Sequence, residues 1–331
     1  MKKYISKVND KSLNTAGPKA KEDIVYFLTK EKYKVIENKI PKDKLLRPIL
    51  GPLNWAKNIR NISADSMVVY QYPSFSRVMD KYYINRLSQK NVIKVIMIHD
   101  LESLRYYSDN EIDKKKELEF INSFDFIIAH NKKMKYWLTQ NGVDKEIIEL
   151  EIFDYYNPSP MLAETNKKIA FVGNLGKSDF LSKMKISTPI SLYGIDPKEY
   201  SRNMSYKGSF SPDLLGEQIE ETFGLVWDGE TIDGCSGVLG NYMRFNNPHK
   251  ASFYLSMGMP IIIWKEAALA DFVLEHECGL AIETLEEIDN VLTDLSRDEL
   301  IKMKNNAQIV GENIRKGYYI DKAVNAIEDI L

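Results

Sequence analysis

Apolar positions fall in short dense runs separated by stretches of mixed polarity, and the two kinds of segment alternate along the chain. The densest runs are VIKVIMIHD at 92–100 and FDFIIAH at 124–130. A run that is apolar at successive positions reads as a strand covered on both faces, which implies a parallel sheet beneath helices. Further strands are predicted at 3–8, 33–36, 66–70 and 147–153, with helices between them, for example over 18–29 and 131–140. This alternation makes the first half doubly wound α/β. Asn157-Pro158-Ser159-Pro160 is a turn-rich link. After it the pattern restarts, with strands at 168–172, 190–193, 224–227, 260–264 and 280–282 and helices at 213–222, 250–257, 267–275 and 298–330. The predicted architecture is two Rossmann-like domains facing across a cleft, 1–156 and 157–312, with 313–331 a C-terminal helix packing back on the first. No short repeat or low-complexity tract interrupts it.

Composition narrows the class. The 331 residues are 44% hydrophobic and 28% charged, as in ordinary soluble domains, which excludes collagen, a disordered tail protein and a disulfide scaffold. The two cysteines, Cys235 and Cys278, suit a reducing compartment, and no CxxC or HxxxH spacing offers a metal site. The uncharged run from Ala251 to Trp264 is 14 residues long and holds Gly258 and Pro260. That is too short to span a bilayer, which takes about 20 apolar residues. Lys7 and Asp10 follow the N-terminus too closely for a signal peptide. A cytoplasmic protein is expected.

Net charge is −2, but it divides unevenly. Residues 1–150 hold 28 Lys+Arg against 19 Asp+Glu, or +9, and the remainder holds 17 against 28, or −11. The plain account is two solvated surfaces of different history. The functional account is a basic half that meets an anionic partner.

Open α/β sheets bind ligands at the carboxyl ends of their strands, so the polar residues just after strands matter most. Gly173-Asn174-Leu175-Gly176-Lys177 follows one strand; it lets backbone approach a ligand and places Lys177 within reach of a phosphate, unless it is merely a flexible turn. The GxGxxG fingerprint of dinucleotide binding is absent. FGLVWDGE (223–230) ends in Trp227-Asp228-Gly229 and leads into a Gly-rich loop carrying Cys235-Ser236-Gly237, either a ligand-lining loop or a plain surface one. Phe245-Asn246-Asn247-Pro248-His249-Lys250 opens a helix, with Asn246 or Asn247 as its cap and Pro248 in its first turn. His249 and Lys250 then stand at the positive end of the helix dipole, where acidic residues are the usual choice. That misfit points to a phosphate, although a His at a helix start is more often structural. A second strand-to-helix turn, Lys265 to Asp271, adds backbone N–H groups near Ala268 and Leu269, and two such starts suggest a diphosphate. In the first half His99-Asp100 ends the strand at 92–98, with Glu102 and Arg105 behind. These are either an acid/base pair or a capping aspartate beside a structural histidine. Asn14-Thr15-Ala16-Gly17-Pro18-Lys19 opens a helix after the first strand and could close over the same ligand. The apolar segment 45–62, with Arg47, Trp55, Lys57 and Arg60, is either a packing helix or an acceptor- or membrane-surface element.

IHDLESLR (98–105), IFDY (152–155), FVGNL (171–175), GLVWDG (224–229), CSG (235–237), FNNPHKASFYLSMGMP (245–260) and ALADF (268–272) occur in one order over nearly the whole chain. In them the chain resembles the bacterial galactofuranosyltransferases of O-antigen and exopolysaccharide synthesis. It also resembles, more distantly, the glucosyltransferases that extend O-linked N-acetylglucosamine on serine-rich streptococcal adhesins. The resemblance implies a GT-B fold, a UDP-sugar held mainly by the C-terminal domain, a saccharide or lipid-linked acceptor held by the N-terminal domain, and no metal or other cofactor. It implies that Gly173, Asn174 and Lys177 meet the diphosphate and that Phe210 lies against the uracil. Asn247 and Lys250 would hold ribose and phosphates, with Asp228 and His249 in the same donor site, and the Ala268 and Leu269 N–H groups would meet phosphate or sugar. Thr15 and Gly17 would form the N-terminal loop, and Arg105 would meet the acceptor. The paired glutamates of many retaining GT-B enzymes are missing where NNPHK stands, and Lys250 takes over that stretch.

Charge suggests the mechanism. Lys250, Lys177 and the helix starts would stabilise departing UDP, and Asp100, helped by His99, would deprotonate the acceptor hydroxyl in an inverting reaction. The acidic half would hold the anionic nucleotide through local groups. The basic half would be left for an anionic lipid-linked acceptor, with peripheral contact to the inner face of the membrane. Competing readings are a UDP-glucose-dependent protein glucosyltransferase, a sugar-nucleotide epimerase that needs no acceptor, and a non-catalytic partner subunit. Assembly as a homo-oligomer is compatible with each, and nucleic acid is not an expected partner.

Overall fold

The computed structural model describes residues 1–9, 16–39, 47–74, 76–105, 110–163 and 165–331. The chain forms two compact units, Met1–Leu150 together with Tyr319–Leu331, and Glu151–Tyr318. These boundaries differ from 156/157 and 312/313, and the reason is local bonding. The turn-rich segment 157–160 and the residues before it are built into the second unit: Tyr155 N donates to Ile314 O at 3.2 Å, and the buried Asn157 Nδ2 donates to Ser256 Oγ at 2.9 Å.

The first unit is a six-stranded, wholly parallel sheet of β1 (Lys2–Asn9), β2 (Lys34–Lys39), β3 (Ser66–Tyr72), β4 (Val92–Ile98), β5 (Phe126–Ala129) and β6 (Glu146–Glu149), in the order β2-β1-β3-β4-β5-β6. β3 and β5 are buried at every position, as strands covered on both faces should be. Helix Arg47–Arg60 buries Trp55 completely, edge-on to Tyr83 at 5.4 Å between ring centroids; Tyr83 in turn stacks on Tyr70 at 4.7 Å. The aromatic residue of segment 45–62 is therefore a core residue, and positions 45 and 46 lie outside the described residues.

The second unit is also six-stranded and parallel: β7 (Ile169–Val172), β8 (Ile190–Tyr193), β9 (Met204–Gly208), β10 (Phe223–Val226), β11 (Ile261–Trp264) and β12 (Gly279–Ile282), ordered β12-β11-β10-β7-β8-β9. The edge strand β9 was not anticipated, because three of its five positions are exposed. The helix predicted at 213–222 is only Pro212–Leu215 followed by a 3₁₀ turn. The long helix predicted at 298–330 is two, Arg297–Lys316 and Tyr318–Ile330, parted at Gly317, which adopts a left-handed φ of 84°.

Each sheet has a reversal in strand order, at β1/β3 in the first unit and β7/β10 in the second, and such switch points are where doubly wound sheets hold ligands. Among the described residues no helix is long and apolar enough to cross a membrane.

Candidate functional site

The switch point of the second unit is roofed by helix His249–Ser256. It comes close because Gly224 has no side chain: a Cβ there would lie 2.2 Å from Cγ of Tyr254. The buried Tyr254 hydroxyl accepts from Val172 N at 2.7 Å, which ties the helix to the end of β7. One turn earlier, Lys250 reaches the end of β10. Its Nζ donates to Trp227 O at 3.0 Å and to Asp228 Oδ1 at 3.2 Å, and stands 4.9 Å above the Phe171 ring. Lys250 is 14% exposed and Asp228 34%. A mostly desolvated ammonium thus stands at a helix start and at the switch point, paired with Asp228.

The neighbouring residues have more specific tasks than an open loop would give them. Asn247 does not cap the helix; Pro248 occupies the cap position, and the buried Asn247 Nδ2 donates to Glu151 O at 3.0 Å. His249 packs between Phe153 and Tyr155, at 5.5 and 5.4 Å, so the IFDY segment belongs to this unit's wall. Asn174 Oδ1 caps the turn Leu175–Lys177 by accepting from Lys177 N at 3.1 Å. Lys177 is exposed, with no ion-pair partner among the described residues. Gly173 N donates to Tyr193 O at 3.0 Å, and Phe210 stands 6.4 Å from the Tyr193 ring, beyond the ends of β8 and β9. The second helix start contributes less than expected. The Ala268 N–H donates to Met243 O at 2.8 Å and is spent inside the fold, while Leu269 caps helix Ala270–Glu275, which is only six residues long. Cys235 is buried, and burial pushes its thiol up to about 12.

In the first unit His99 ends β4. Gln71 Nε2 donates to Ser6 O at 2.8 Å, so its Oε1, 2.9 Å from His99 Nε2, is an acceptor, and the Nε2 of His99 carries the proton. That proton points into the sheet, so His99 cannot help Asp100 through Nε2. His130 is buried beneath the same turn. Burial holds its pKa down at about 3 against hydrogen bonds to the Ile98 and His99 backbone, so it is neutral. Asp100 Oδ2 accepts from Arg105 Nη1 at 2.6 Å, so Arg105 holds Asp100. Asp100 is 28% exposed and Arg105 32%.

Glu117 carries no local motif that marks it. From helix Glu111–Ile121 its buried carboxylate accepts from Tyr72 OH at 2.8 Å, Glu102 N at 2.9 Å and Ser103 N at 2.8 Å, clamping the turn that carries Asp100 and Arg105. Gly17 is the second residue of helix Ala16–Lys30, and Thr15 lies outside the described residues. Among the described residues no group of three or more His, Cys, Asp and Glu side chains is placed to hold a metal ion.

Comparison with known proteins places these edges in context. The N-terminal domain model of the glucosyltransferase 3-like family matches residues 2–152 and its C-terminal domain model matches 169–327. The chain is 29% identical over 256 residues to the beta-1,6-galactofuranosyltransferase WbbI of Escherichia coli (strain K12), covering 75% of this chain and 74% of that one. It is 25% identical over 280 residues to Glucosyltransferase 3 of Streptococcus gordonii, with 82% of each covered. Among solved structures, Anabaena HepE in complex with UDP superposes with a TM-score of 0.61 at 13% identity, and the apo lipopolysaccharide outer core galactosyltransferase WaaB with 0.61 at 15%; each match covers 100% of both chains. At such identities the structural likeness concerns the fold, which is GT-B.

Proposed function

The chain belongs to the glucosyltransferase 3-like family of GT-B glycosyltransferases, and from that premise we propose that it moves a hexose, galactofuranose, from a UDP-sugar to a lipid-linked or other saccharide acceptor. One observation carries the donor half of the reading: the Lys250 ammonium stands at the β7/β10 switch point, at the start of an eight-residue helix whose first turn holds no acidic residue. A diphosphate is the ligand that such a helix start and cation favour together. Galactofuranose follows the name of the relative WbbI, and Glucosyltransferase 3 makes glucose the donor to test beside it.

In the proposed reaction the acceptor hydroxyl gives its proton to Asp100 and its oxygen attacks the anomeric carbon. The bond from that carbon to the phosphate oxygen breaks, and the negative charge left on UDP settles beside Lys250 and within reach of Lys177. Charge is then stabilised where it develops, by groups already in place, and no metal is needed. His249 serves the site through packing, Phe210 offers a ring for the uracil, and the basic first unit favours an anionic acceptor at a membrane face. EDTA should leave turnover unchanged, and co-sedimentation with anionic liposomes would report the membrane contact.

The decisive experiment is thermal stabilisation by UDP, UDP-galactofuranose, UDP-glucose and UDP-galactose. A ligand at 100 times its dissociation constant adds about 2.7 kcal/mol. UDP-galactofuranose should stabilise most; a response to UDP-glucose alone would move the donor to glucose, and no response to any would overturn the reading. Lys250→Ala should weaken UDP by about 10- to 100-fold, the worth of a hydrogen bond to a charged group. Unchanged affinity by calorimetry would remove Lys250 from the diphosphate site.

A further inference from the structure

The carboxylate beside Lys250 has no place in a site for phosphates alone. Asp228 stands at the end of β10, on the switch point, with Oδ1 engaged by Lys250 and no protein donor to Oδ2 among the described residues. It is a third exposed rather than buried, so Oδ2 is open to a ligand. The loop that presents it is held firmly. Trp227 is fully buried and its Nε1 donates to Thr231 O at 3.1 Å, while Thr231 Oγ1 bonds both Gly234 O and Ser236 Oγ at 2.8 Å. Gly229 has φ 111°, and a Cβ on it would lie 2.3 Å from Ser236 O, so the chain beside Asp228 fits only one way. A carboxylate offered from so fixed a loop is preorganised for a particular partner.

The chemistry of that partner follows from sign. An ionised carboxylate only accepts hydrogen bonds, and phosphate oxygens at neutral pH are acceptors too, so Asp228 repels the diphosphate that Lys250 attracts. What a nucleotide-sugar can donate to it are hydroxyl groups. We infer that Asp228 reads a hydroxyl of the transferred sugar, with Lys250 holding both the carboxylate and the neighbouring phosphate. This rests on the UDP-sugar reading above and adds to it a division of labour, the lysine for the nucleotide diphosphate and the aspartate for the hexose. It also accounts for the pairing of the lysine with a carboxylate. The pair fixes Oδ1, so Oδ2 has one direction in which to accept.

Ribose hydroxyls are the other source of the same chemistry, and two ligands separate them. Calorimetry on wild type, Asp228→Asn and Asp228→Glu would use UDP, which has the ribose alone, and the UDP-hexose that stabilises wild type most. Asp228→Asn should bind UDP as tightly as wild type or up to several-fold tighter, because a repelling charge has gone. It should lose about 10- to 100-fold in the turnover and affinity specific to the UDP-hexose. Asp228→Glu, which keeps the charge but moves the oxygen, should also retain UDP and lose the hexose, and it serves if the asparagine variant folds poorly. UDP binding by each variant reports its fold. A loss of UDP affinity equal to the loss for UDP-hexose would assign Asp228 to the ribose and overturn the inference, as would full UDP-hexose turnover in Asp228→Asn. Wild type that binds no nucleotide would overturn the donor reading itself, a result distinct from either.

Discussion

The two units carry opposite net charge, yet each buries charge of both signs. In the first, net +7 once Tyr319–Leu331 with its one lysine and three acids is included, Asp80, Glu117 and Lys21 are all buried, and Lys21 Nζ donates to Pro73 O just past the end of β3. In the second, net −9, Glu221 and Lys304 are buried and Lys250 is mostly so at the switch point. Net charge therefore says little about what each edge can hold. A field at a site is set by the few charges removed from water, because solvent and salt screen the many that are not.

The sharpest way to break this comparison is to change one edge and watch the other. Asp100→Asn should lower turnover by about 10²- to 10⁴-fold, the range for loss of a general base, while UDP affinity stays at the wild-type value. Turnover retained in that variant would remove Asp100 as the base and leave the Lys250 edge untouched.

Acid should also separate the units. Burial raises Asp80 to about 6, against hydrogen bonds from Ser74 and Tyr70 that act the other way, and burial beside Glu31 raises Asp321 to about 6. A carboxyl raised in the folded state binds its proton more readily there than in the unfolded chain. Its contribution is therefore fully present below about pH 4 and is lost as pH rises through about 6. For the almost wholly buried Asp80 this amounts to about 3 kcal/mol at most. In the second unit burial acts to raise Asp289, but hydrogen bonds from Thr188 and the Ser187 and Thr188 backbone outweigh it and hold the carboxyl low. Its contribution is present above the ordinary carboxylate range and lost on acidification. Unfolding from pH 4 to 7, followed by a probe in each unit, should show the first losing stability as the second keeps its own, and Asp80→Asn should flatten the first curve. A curve unchanged by that substitution would count against the assignment.

A smaller effect tests the second edge alone. Gly224→Ala would set a Cβ inside the Tyr254 ring and should cost about 1–3 kcal/mol, a few degrees in the melting of the second unit. An unchanged melting temperature would mean that the helix over the switch point can shift without loss.

Much of this was legible in the chain, for identifiable reasons. β5, β10 and β11 carry no polar side chain, nor does β4 from Val95 to Ile98, and buried strands announce themselves in that way. Lys250 stood out because a cation in a first helical turn contradicts the dipole. β9 did not, since Ser205, Tyr206 and Lys207 are exposed on an edge strand. Partnerships across long separations were hidden as well. Nothing near Glu117 in the sequence says that its carboxylate meets Tyr72, 45 residues away, and nothing near Ala268 says that Met243 takes its N–H. Local pattern reports which residues are buried; it does not report which distant group satisfies them.

The closure of the first unit by Tyr319–Leu331 has a consequence for synthesis. Residues 1–150 leave the ribosome before the second unit, yet the helix Tyr318–Ile330, with Ile320, Ala323, Val324 and Ile327 buried, is made after it. At roughly 5–20 residues per second the early sheet waits on the order of ten seconds or more for that helix. The second unit, although it starts later, is complete before the first. A nascent chain therefore completes the second unit before the first, and a stop codon near residue 318 would leave the first unit, not the second, with an uncovered face.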